Sequence, residues 1–297
     1  MPDIMISLRA TAYAKLNLAL HVTGQRADGY HLLDTLVAFA DYGDEITVTS
    51  AAEDSFSLSG RYGQHLPTCG NNLVLKARDA LREHFPRHSP PVAIHLQKNL
   101  PVASGIGGGS SDAASVLALL LQLWDIAPKT ALIEKICLSL GADVPMCLHG
   151  QFYGGGLIAR GIGEQLHELP DLPVIPLVLV NDGTAISTPQ IFQRLQKRDN
   201  AALADMPAFT DIADICAFLK TTRNDLYAPA CSIAEQLPQV LNALVESGAA
   251  FAQMSGSGAT CFGIYDSLQK AQQAADILQQ QNPHWFVQAA STVPARI

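Results

Sequence analysis

Residues 101–112 form a glycine- and serine-rich stretch, Pro-Val-Ala-Ser-Gly-Ile-Gly-Gly-Gly-Ser-Ser-Asp, that leads into a predicted helix. Glycines permit positive φ angles and a close approach of the backbone, so the N–H groups of such a loop can converge on a ligand. The amino end of a helix adds roughly half a positive charge. The stretch therefore predicts a site for an anionic group such as a phosphate. The alternative, a flexible turn before a buried helix, poorly explains four glycines and two serines within positions 105–111.

The loop differs from two common nucleotide-binding signatures. It lacks the lysine of G-x-x-x-x-G-K-[ST] and does not fit G-x-G-x-x-G, which disfavours Walker-type NTPases and Rossmann dehydrogenases. A second glycine-rich segment, residues 255–260 (Ser-Gly-Ser-Gly-Ala-Thr), joins two predicted strands and could support the phosphate loop. A tight hairpin between those strands is the alternative interpretation.

Chemistry on a hydroxyl group requires a carboxylate that takes the proton and a cation that stabilises the developing charge. Asp143 and Lys15 are the candidates. Asp143 lies among apolar residues in Gly-Ala-Asp-Val-Pro, residues 141–145, where a helix-capping role is equally compatible with the sequence. Lys15 interrupts an apolar strand, and Asn17 has the same strand parity, so both side chains face one side. The pair either faces a pocket or belongs to an exposed strand face.

Residues 28–31, Asp-Gly-Tyr-His, predict a turn that carries an aromatic ring and an imidazole. Tyr30 and His31 could stack on a base and hydrogen-bond to its edge. A surface turn is the alternative.

His84 and His88 have the i, i+4 spacing of metal ligands, but Pro86 interrupts the helix that would align them, so we predict no zinc site.

The composition limits the class of protein. Hydrophobic residues make up 48% of the 297 residues and charged residues 15%, which favours a compact fold over disorder. A formal net charge of -8 without a Lys/Arg cluster disfavours nucleic acid as a partner, although it leaves a nucleotide ligand possible. The six widely spaced cysteines favour reduced thiols. Residues 1–10 lack the apolar core of a signal peptide, and the apolar runs are shorter than the about 20 residues of a membrane helix. We expect a cytoplasmic protein.

These side chains require a scaffold of strands and helices, which hydrophobic periodicity predicts. In the first half we expect strands at 10–22, 36–40, 44–49, 92–97 and 152–160, and helices at 72–85, from Ser110 or Ser111 onward and at 129–140. Prolines after Gly163 indicate a domain boundary. Beyond it we expect strands at 177–180, 250–254, 260–265 and 285–290, helices at 189–196, 233–247 and 268–280, and a mobile polar loop at 197–208.

Three separated motifs occur in the order that is typical of the GHMP kinases. They are residues 14–18 (Ala-Lys-Leu-Asn-Leu) with 28–31, then 101–112 with 141–145, then 255–260. The chain resembles the GHMP kinase superfamily over nearly its whole length. The resemblance implies an α+β fold with an N-terminal ribosomal-protein-S5-like domain over residues 1–165 and a C-terminal ferredoxin-like domain over residues 166–297. The active site would lie in the cleft between them.

The lysine strand followed by Asp-Gly-Tyr-His is similar to one branch of that superfamily, which acts on a cytidine-diphosphate-linked methylerythritol in the non-mevalonate isoprenoid pathway. The resemblance implies that Asp143 is the general base, and that Lys15 holds the acceptor hydroxyl and lowers its pKa. It assigns the cytidine diphosphate portion to Asn17, Tyr30, His31 and Phe192. It assigns the ATP phosphates to Pro101, Val102, Ala103, Ser104, Gly105, Ile106, Gly107, Gly108, Gly109, Ser110 and Ser111. Mg²⁺ would arrive on the nucleotide, and no protein carboxylate is assigned to it.

Two alternatives stay open at this point. Another GHMP kinase, acting on homoserine, mevalonate or a sugar, would share the glycine loop but not the Asp-Gly-Tyr-His turn. A non-catalytic nucleotide-binding sensor would need the loop but not both Lys15 and Asp143. The expected partners are two small molecules, ATP and the cytidine-linked alcohol, without nucleic acid or membrane, and the expected assembly is a monomer or homodimer.

Overall fold

The structure, a computed structural model, describes residues 5–64, 66–127 and 131–296. The strands are β1 (Ser7–Gln25), β2 (His31–Ser50), β3 (Ser55–Ser59), β4 (Val92–Gln97), β5 (Gly156–Gly161), β6 (Gln165–Leu169), β7 (Pro176–Asn181), β8 (Phe251–Met254), β9 (Cys261–Ile264) and β10 (Phe286–Ser291). The helices are α1 (Leu73–His84), α2 (Gly108–Leu123), α3 (Ala131–Leu140), α4 (Val144–Tyr153), α5 (Thr188–Arg194), α6 (Ile212–Leu219), α7 (Tyr227–Cys231), α8 (Leu237–Glu246) and α9 (Leu268–Gln281). This mixture of helices and strands confirms the predicted α+β class.

The packing of the chain divides it into two compact units. The first unit consists of residues 1–14, 42–102 and 107–152, and the second of residues 15–41, 103–106 and 153–297. Strands β1 and β2 and the glycine-rich loop contribute residues to both units. The predicted division of the chain after residue 165 stays a prediction.

In the first unit, the end of β2 pairs antiparallel with β4, with Glu45 opposite Gln97 and Ser50 opposite Val92. Strand β3 pairs in parallel with the other side of β4. Helices α1, α2 and α3 pack against one another. Alternate residues of β4 are buried, as expected for a strand with one face in the core. Helix α1 follows its prediction closely, because the Asn72 side chain caps it by accepting the Val74 N–H.

In the second unit, the start of β2 pairs antiparallel with β5, and β5 pairs antiparallel with β6. Strands β7 to β10 form a four-stranded antiparallel sheet in the order β10-β7-β9-β8. Helices α8 and α9 pack on this sheet. Its core contains Val178 and Val180 of β7 together with Leu244 of α8 and Leu278 of α9. The predicted strands and helices of this region are confirmed, except that α8 begins only at Leu237.

Several predicted boundaries in the first 160 residues are wrong: β1 extends from Ser7 to Gln25 rather than over 10–22, and β2 begins at His31 rather than at residue 36. Three further differences lie at glycine residues. The helix after the glycine loop begins at Gly108 rather than at Ser110 or Ser111, since Gly107 with φ 67° precedes it. The predicted strand 152–160 begins only at residue 156, because positive φ angles at residues 154 and 155 turn the chain after α4. The strands predicted at 36–40 and 44–49 are one strand. A Cβ at Gly43 would lie 2.0 Å from the Ala12 carbonyl oxygen, so glycine there serves a close approach rather than a break.

Residues 129 and 130, the first two of the helix predicted over 129–140, lie outside the described residues, and α3 is described from Ala131. Helix α4, which follows Asp143 directly, was not predicted. Its sequence, Val-Pro-Met-Cys-Leu-His-Gly-Gln-Phe-Tyr, contains a glycine and a proline, and its apolar residues show little amphipathic pattern. Periodicity alone therefore could not identify it.

Candidate active site

The amino end of α2 belongs to the first unit and carries the second half of the glycine loop. Gly107 is the N-cap, with φ 67°, and no side chain caps the helix. The first N–H groups of a helix have no intrahelical acceptor, so those of residues 108–110 are donors for a ligand. The Ser111 N–H bonds to the Gly107 carbonyl at 2.8 Å, and its hydroxyl donates to Cys147 Sγ at 3.4 Å. The backbone at this end of the helix is therefore suited to an anionic group, and the binding of ATP phosphates there stays a prediction.

The preceding part of the loop, residues 103–106, belongs to the second unit and contacts the second glycine-rich segment. Gly105 has φ 77°, and a Cβ there would lie 2.5 Å from the Ser255 carbonyl oxygen and 2.6 Å from Gly258 N. The Thr260 N–H donates to the Ser104 carbonyl at 3.0 Å. The second glycine-rich segment therefore contacts residues 103–106 of the loop directly through its backbone, as predicted.

The residues of this loop differ in exposure. Pro101 and Ile106 are buried, whereas Val102 is 46% exposed and Gly109 is exposed. Ala103 has a positive φ of 51°, which is uncommon for a residue with a side chain. Because the apolar side chains at 101 and 106 are buried, they anchor the loop.

Lys15 and Asn17 lie side by side on β1 in the second unit, as their strand parity predicts. Lys15 Nζ donates to Asn17 Oδ1 at 2.7 Å, and the two residues are only 4% and 3% exposed, so the exposed-face alternative is wrong. The Lys15 N–H bonds to the Ile106 carbonyl at 2.9 Å, which joins this strand to the glycine loop. Asn17 is fixed by Thr35 Oγ1 at 2.8 Å and by Ser255 Oγ at 3.1 Å. A buried ammonium group is thereby held beside residues 103–106.

Asp143 lies in the first unit, immediately before α4. It is half-buried, and its carbonyl oxygen accepts the Cys147 N–H at 3.0 Å in the first turn of the helix. A carboxylate at this position is stabilised by the helix dipole. The prediction that Asp143 and Lys15 meet at an acceptor hydroxyl stays a prediction.

His31 and Phe192 come together in the second unit. Their rings stack with centroids 4.7 Å apart and planes inclined by 22°. Burial lowers the pKa of His31, and the positive charge of Arg198 lowers it further, so the imidazole is neutral at pH 7. Among the described residues, His31 Nε2 is buried without a hydrogen-bond partner. Tyr30 is 57% exposed in the turn, where the Asp28 carboxylate accepts its N–H.

Several polar contacts of these sites were not predicted. Thr35 and Ser255 bond to Asn17, and the first unit buries Lys98 with Asp44 and Asp112. The alternation of side chains along a strand could have identified Asp44 and Lys98 as buried. Asp44 has the parity of the buried residues 46 and 48, and Lys98 continues the buried parity of residues 92, 94 and 96.

Within residues 5–64, 66–127 and 131–296, no three His, Cys, Asp or Glu side chains are grouped so as to hold a metal ion. None of the helices in that part of the chain has the length and apolar character needed to cross a bilayer.

Comparison with known protein families and structures agrees with these features. The model of the GHMP kinase N-terminal domain matches residues 72–151, and that of the GHMP kinase C-terminal domain matches residues 226–284. The chain belongs to the GHMP kinases. Over 290 residues it is 52% identical to the 4-diphosphocytidyl-2-C-methyl-D-erythritol kinase of Brucella abortus, with 98% of this chain and 97% of that protein covered. It belongs to the 4-diphosphocytidyl-2-C-methyl-D-erythritol kinase family.

A second relative and one solved structure support the same assignment, and a further structure shares the fold. The kinase of that name from Rhizobium leguminosarum is 51% identical, with 95% of this chain and 94% of that protein covered. A crystal structure of 4-(cytidine 5'-diphospho)-2C-methyl-D-erythritol kinase has a TM-score of 0.77 at 31% identity, covering 96% of this chain and 99% of that one. Homoserine kinase from Cytophaga hutchinsonii has a TM-score of 0.71 at 16% identity, with 99% and 96% covered, and shares the fold.

Proposed function

We propose that the chain transfers the γ-phosphoryl group of ATP to the 2-hydroxyl of 4-diphosphocytidyl-2-C-methyl-D-erythritol, giving the 2-phosphate and ADP. This is a step of the non-mevalonate isoprenoid pathway. The observation that carries the proposal is the position of Lys15. Its backbone bonds to the glycine loop at Ile106, and its buried ammonium bonds to Asn17 at 2.7 Å. A cation is thus fixed beside residues 103–106 of the glycine loop.

ATP would bind through residues 101–111. Gly107 is the N-cap of α2 and no side chain caps the helix, so the backbone N–H groups that follow it can bond to phosphate oxygens. The positive φ angles of Gly105 and Gly107 turn the chain around that position. Mg²⁺ would be held by phosphate oxygens of the nucleotide, where it supplies charge neutralisation for phosphoryl transfer.

Asp143 would act as the general base and Lys15 as the cation at the acceptor oxygen. A carboxylate that takes the hydroxyl proton contributes about 10²- to 10⁴-fold to rate in such reactions. The Lys15 ammonium would hold the hydroxyl and favour its deprotonated form as the oxygen attacks phosphorus. The remaining rate enhancement would come from positioning of the two reactants in line.

The cytidine diphosphate portion would contact Asn17, Tyr30, His31 and Phe192. The face of a cytosine ring can stack on an aromatic side chain such as Phe192, and its polar edge can bond to an imidazole. His31 Nε2 is buried without a partner within the described chain, which suits it to receive that edge. Tyr30, with 57% of its surface exposed, is available as a second ring.

We further infer that the chain works in the cytoplasm as a monomer or homodimer, and that its partners are these two small molecules. A negative net charge of -8 supports the exclusion of nucleic acid.

The proposal is tested by measuring ADP release with a panel of alcohols: the cytidine-linked methylerythritol, homoserine, mevalonate and hexoses. The position of the new phosphate is then established by phosphorus NMR. Preference for the cytidine-linked alcohol, with the phosphate on its 2-hydroxyl, is expected. A preference for another alcohol would assign the chain a different substrate, and binding of ATP without transfer to any of them would indicate a sensor.

A further inference from the structure

Lys98, Asp44 and Asp112 form a cluster of charged side chains in the first unit, here called the buried triad. Lys98 Nζ donates to Asp112 Oδ2 at 2.6 Å and also to Asp44 Oδ2. The three residues are 3%, 0% and 3% exposed. Burying one cation with two carboxylates is costly unless the charges balance, so the net charge of the triad depends on whether one carboxyl group carries a proton.

The two carboxyl groups have different surroundings. Asp44 Oδ1 accepts the backbone N–H groups of Asn99 at 2.6 Å and Leu100 at 2.8 Å, in addition to the contact of Oδ2 with Lys98. Asp112 Oδ1 is buried and has no hydrogen-bond partner in the described part of the chain. Hydrogen bonds favour the charged form and unrelieved burial disfavours it. Asp44 thus receives two backbone hydrogen bonds, whereas Asp112 has only the contact with Lys98, so burial favours the acid form of Asp112.

The electrostatics agree with this distinction. Burial raises the pKa of Asp112 to about 8, an effect that Lys98 opposes and the neighbouring Asp44 carboxylate reinforces. Burial opposes the charge of Lys98, but Asp112 and Asp44 together keep its pKa above the ordinary value. One ammonium, one carboxylate and one carboxylic acid give the triad no net charge at pH 7. Ionisation of Asp112 would give it a net negative charge.

The triad lies directly beneath the start of α2. A Cβ at Gly108, the first residue of this helix, would lie 3.2 Å from Lys98 Nζ and 3.8 Å from Asp44 Oδ2. Asp112 itself belongs to the same helix, and Lys98 follows β4. The triad thus links a strand to the helix end proposed to face the ATP phosphates. A net negative charge at this buried position would repel a bound anion, because charges interact strongly in a medium of low dielectric.

We propose that the buried triad positions the amino end of α2 for the phosphates of ATP, and that Asp112 in its acid form keeps this end free of net negative charge. Lys98, Asp44 and Asp112 are positioning residues, since they act through the helix rather than on the reacting atoms. This inference rests on the proposed function, because it requires ATP phosphates at residues 107–111.

The test compares the pH dependence of KM for ATP in the wild-type protein and in Asp112→Asn, with Mg²⁺ in excess and at constant ionic strength. If tight binding needs the acid form, the wild-type KM rises about tenfold between about pH 7 and about pH 9, which is the ratio of acid fractions for a pKa of about 8. Asp112→Asn has no proton to lose and shows no such rise. Asp79→Asn, at an exposed position of α1, is the control and keeps the wild-type profile.

Equal rises in the wild type and in Asp112→Asn would overturn the proposal, and so would a flat wild-type profile. If Asp112→Asn does not fold, the wild type is titrated calorimetrically with a non-hydrolysable ATP analogue at about pH 8.5, half a unit above that pKa, in buffers of different ionisation enthalpy. Net proton uptake on binding supports the proposal, and absence of uptake overturns it. Failure to phosphorylate the cytidine-linked alcohol would instead refute the proposed substrate, while the calorimetry still decides the role of the triad.

Discussion

The imidazole ring of His31 stacks on the phenyl ring of Phe192, with centroids 4.7 Å apart and ring planes inclined by 22°. His31 is the first residue of β2 and Phe192 belongs to α5, so two elements distant in the chain supply one aromatic pair. The pair combines an aromatic ring with a buried polar atom, His31 Nε2, that has no partner among the described residues. This combination is suited to the flat, polar base of the proposed substrate.

Phe192→Ala is expected to raise KM for the cytidine-linked substrate about tenfold, because stacking of a base on an aromatic ring is worth about 1–3 kcal/mol. KM for ATP should stay within about twofold, since the ring is assigned to the other substrate. Steady-state kinetics with each substrate varied in turn measures both values. Phe56→Ala on β3, which also removes a half-buried ring, is the control. Equal effects on both KM values would remove Phe192 from the base site.

Gly105→Ala is expected to destabilise the protein by about 1–3 kcal/mol and to raise KM for ATP, because φ 77° is unfavourable for alanine. The new methyl group would also meet the Ser255 carbonyl oxygen at 2.5 Å. Urea unfolding measures the change in stability. Gly70→Ala is the matched control, since a Cβ there meets nothing within 4 Å, and it should change stability by less than about 0.5 kcal/mol. Equal stability of the two variants would contradict the described contact between the glycine segments.

Asp143→Asn is expected to lower turnover by about 10²- to 10⁴-fold, since the amide cannot take the hydroxyl proton. KM for ATP should change little, because the carboxylate is assigned to the acceptor rather than the nucleotide. Rapid-quench measurement of the transfer step gives the rate. Asp79→Asn on α1 is again the control, at an exposed position. Near-normal turnover in Asp143→Asn would exclude Asp143 as the base.

Lowering the pH should destabilise the protein, because protonation of His21 disrupts its hydrogen bonds. Its Nε2 accepts the Arg223 N–H at 3.3 Å, and its Nδ1 bonds to the Ala201 carbonyl at 3.0 Å, which requires the neutral ring. Burial lowers its pKa from 6.5, and Arg223 lowers it further while Asp225 opposes the shift.

Because the folded protein binds this proton less tightly than the unfolded chain, the free energy of unfolding falls as pH drops below 6.5, toward the folded-state pKa. His21→Gln should lose this part of the pH dependence. Urea unfolding at several pH values checks the difference, and parallel pH profiles for the two proteins would contradict the assignment.

Local sequence pattern was sufficient where one physical rule dominates. Strand β4 lies over the predicted residues, because alternating apolar residues at 92, 94 and 96 leave little ambiguity. Lys15 and Asn17 were paired correctly from strand parity alone. The start of α2 is ambiguous in the sequence, because serine capping and a left-handed glycine are both compatible with Gly-Gly-Gly-Ser-Ser.

The remaining features depend on contacts between distant parts of the chain. Ser255 bonds to the backbone of Asn17 across 238 positions, and no local pattern encodes that contact. The same holds for the protonation of Asp112, which depends on burial and on the approach of Lys98 and Asp44. The roles proposed for Asp143 and Phe192 come from the family resemblance. Residue spacing alone is equally compatible with helix capping by Asp143, and it assigns no role to Phe192.

The most direct test of the central claim is a single-turnover reaction with excess enzyme, γ-labelled ATP and 4-diphosphocytidyl-2-C-methyl-D-erythritol. We expect the label to appear on the 2-hydroxyl of that alcohol, and to appear far more slowly with Asp143→Asn. Bound ATP without transfer of the label to this alcohol, in a folded wild-type protein, would contradict the account.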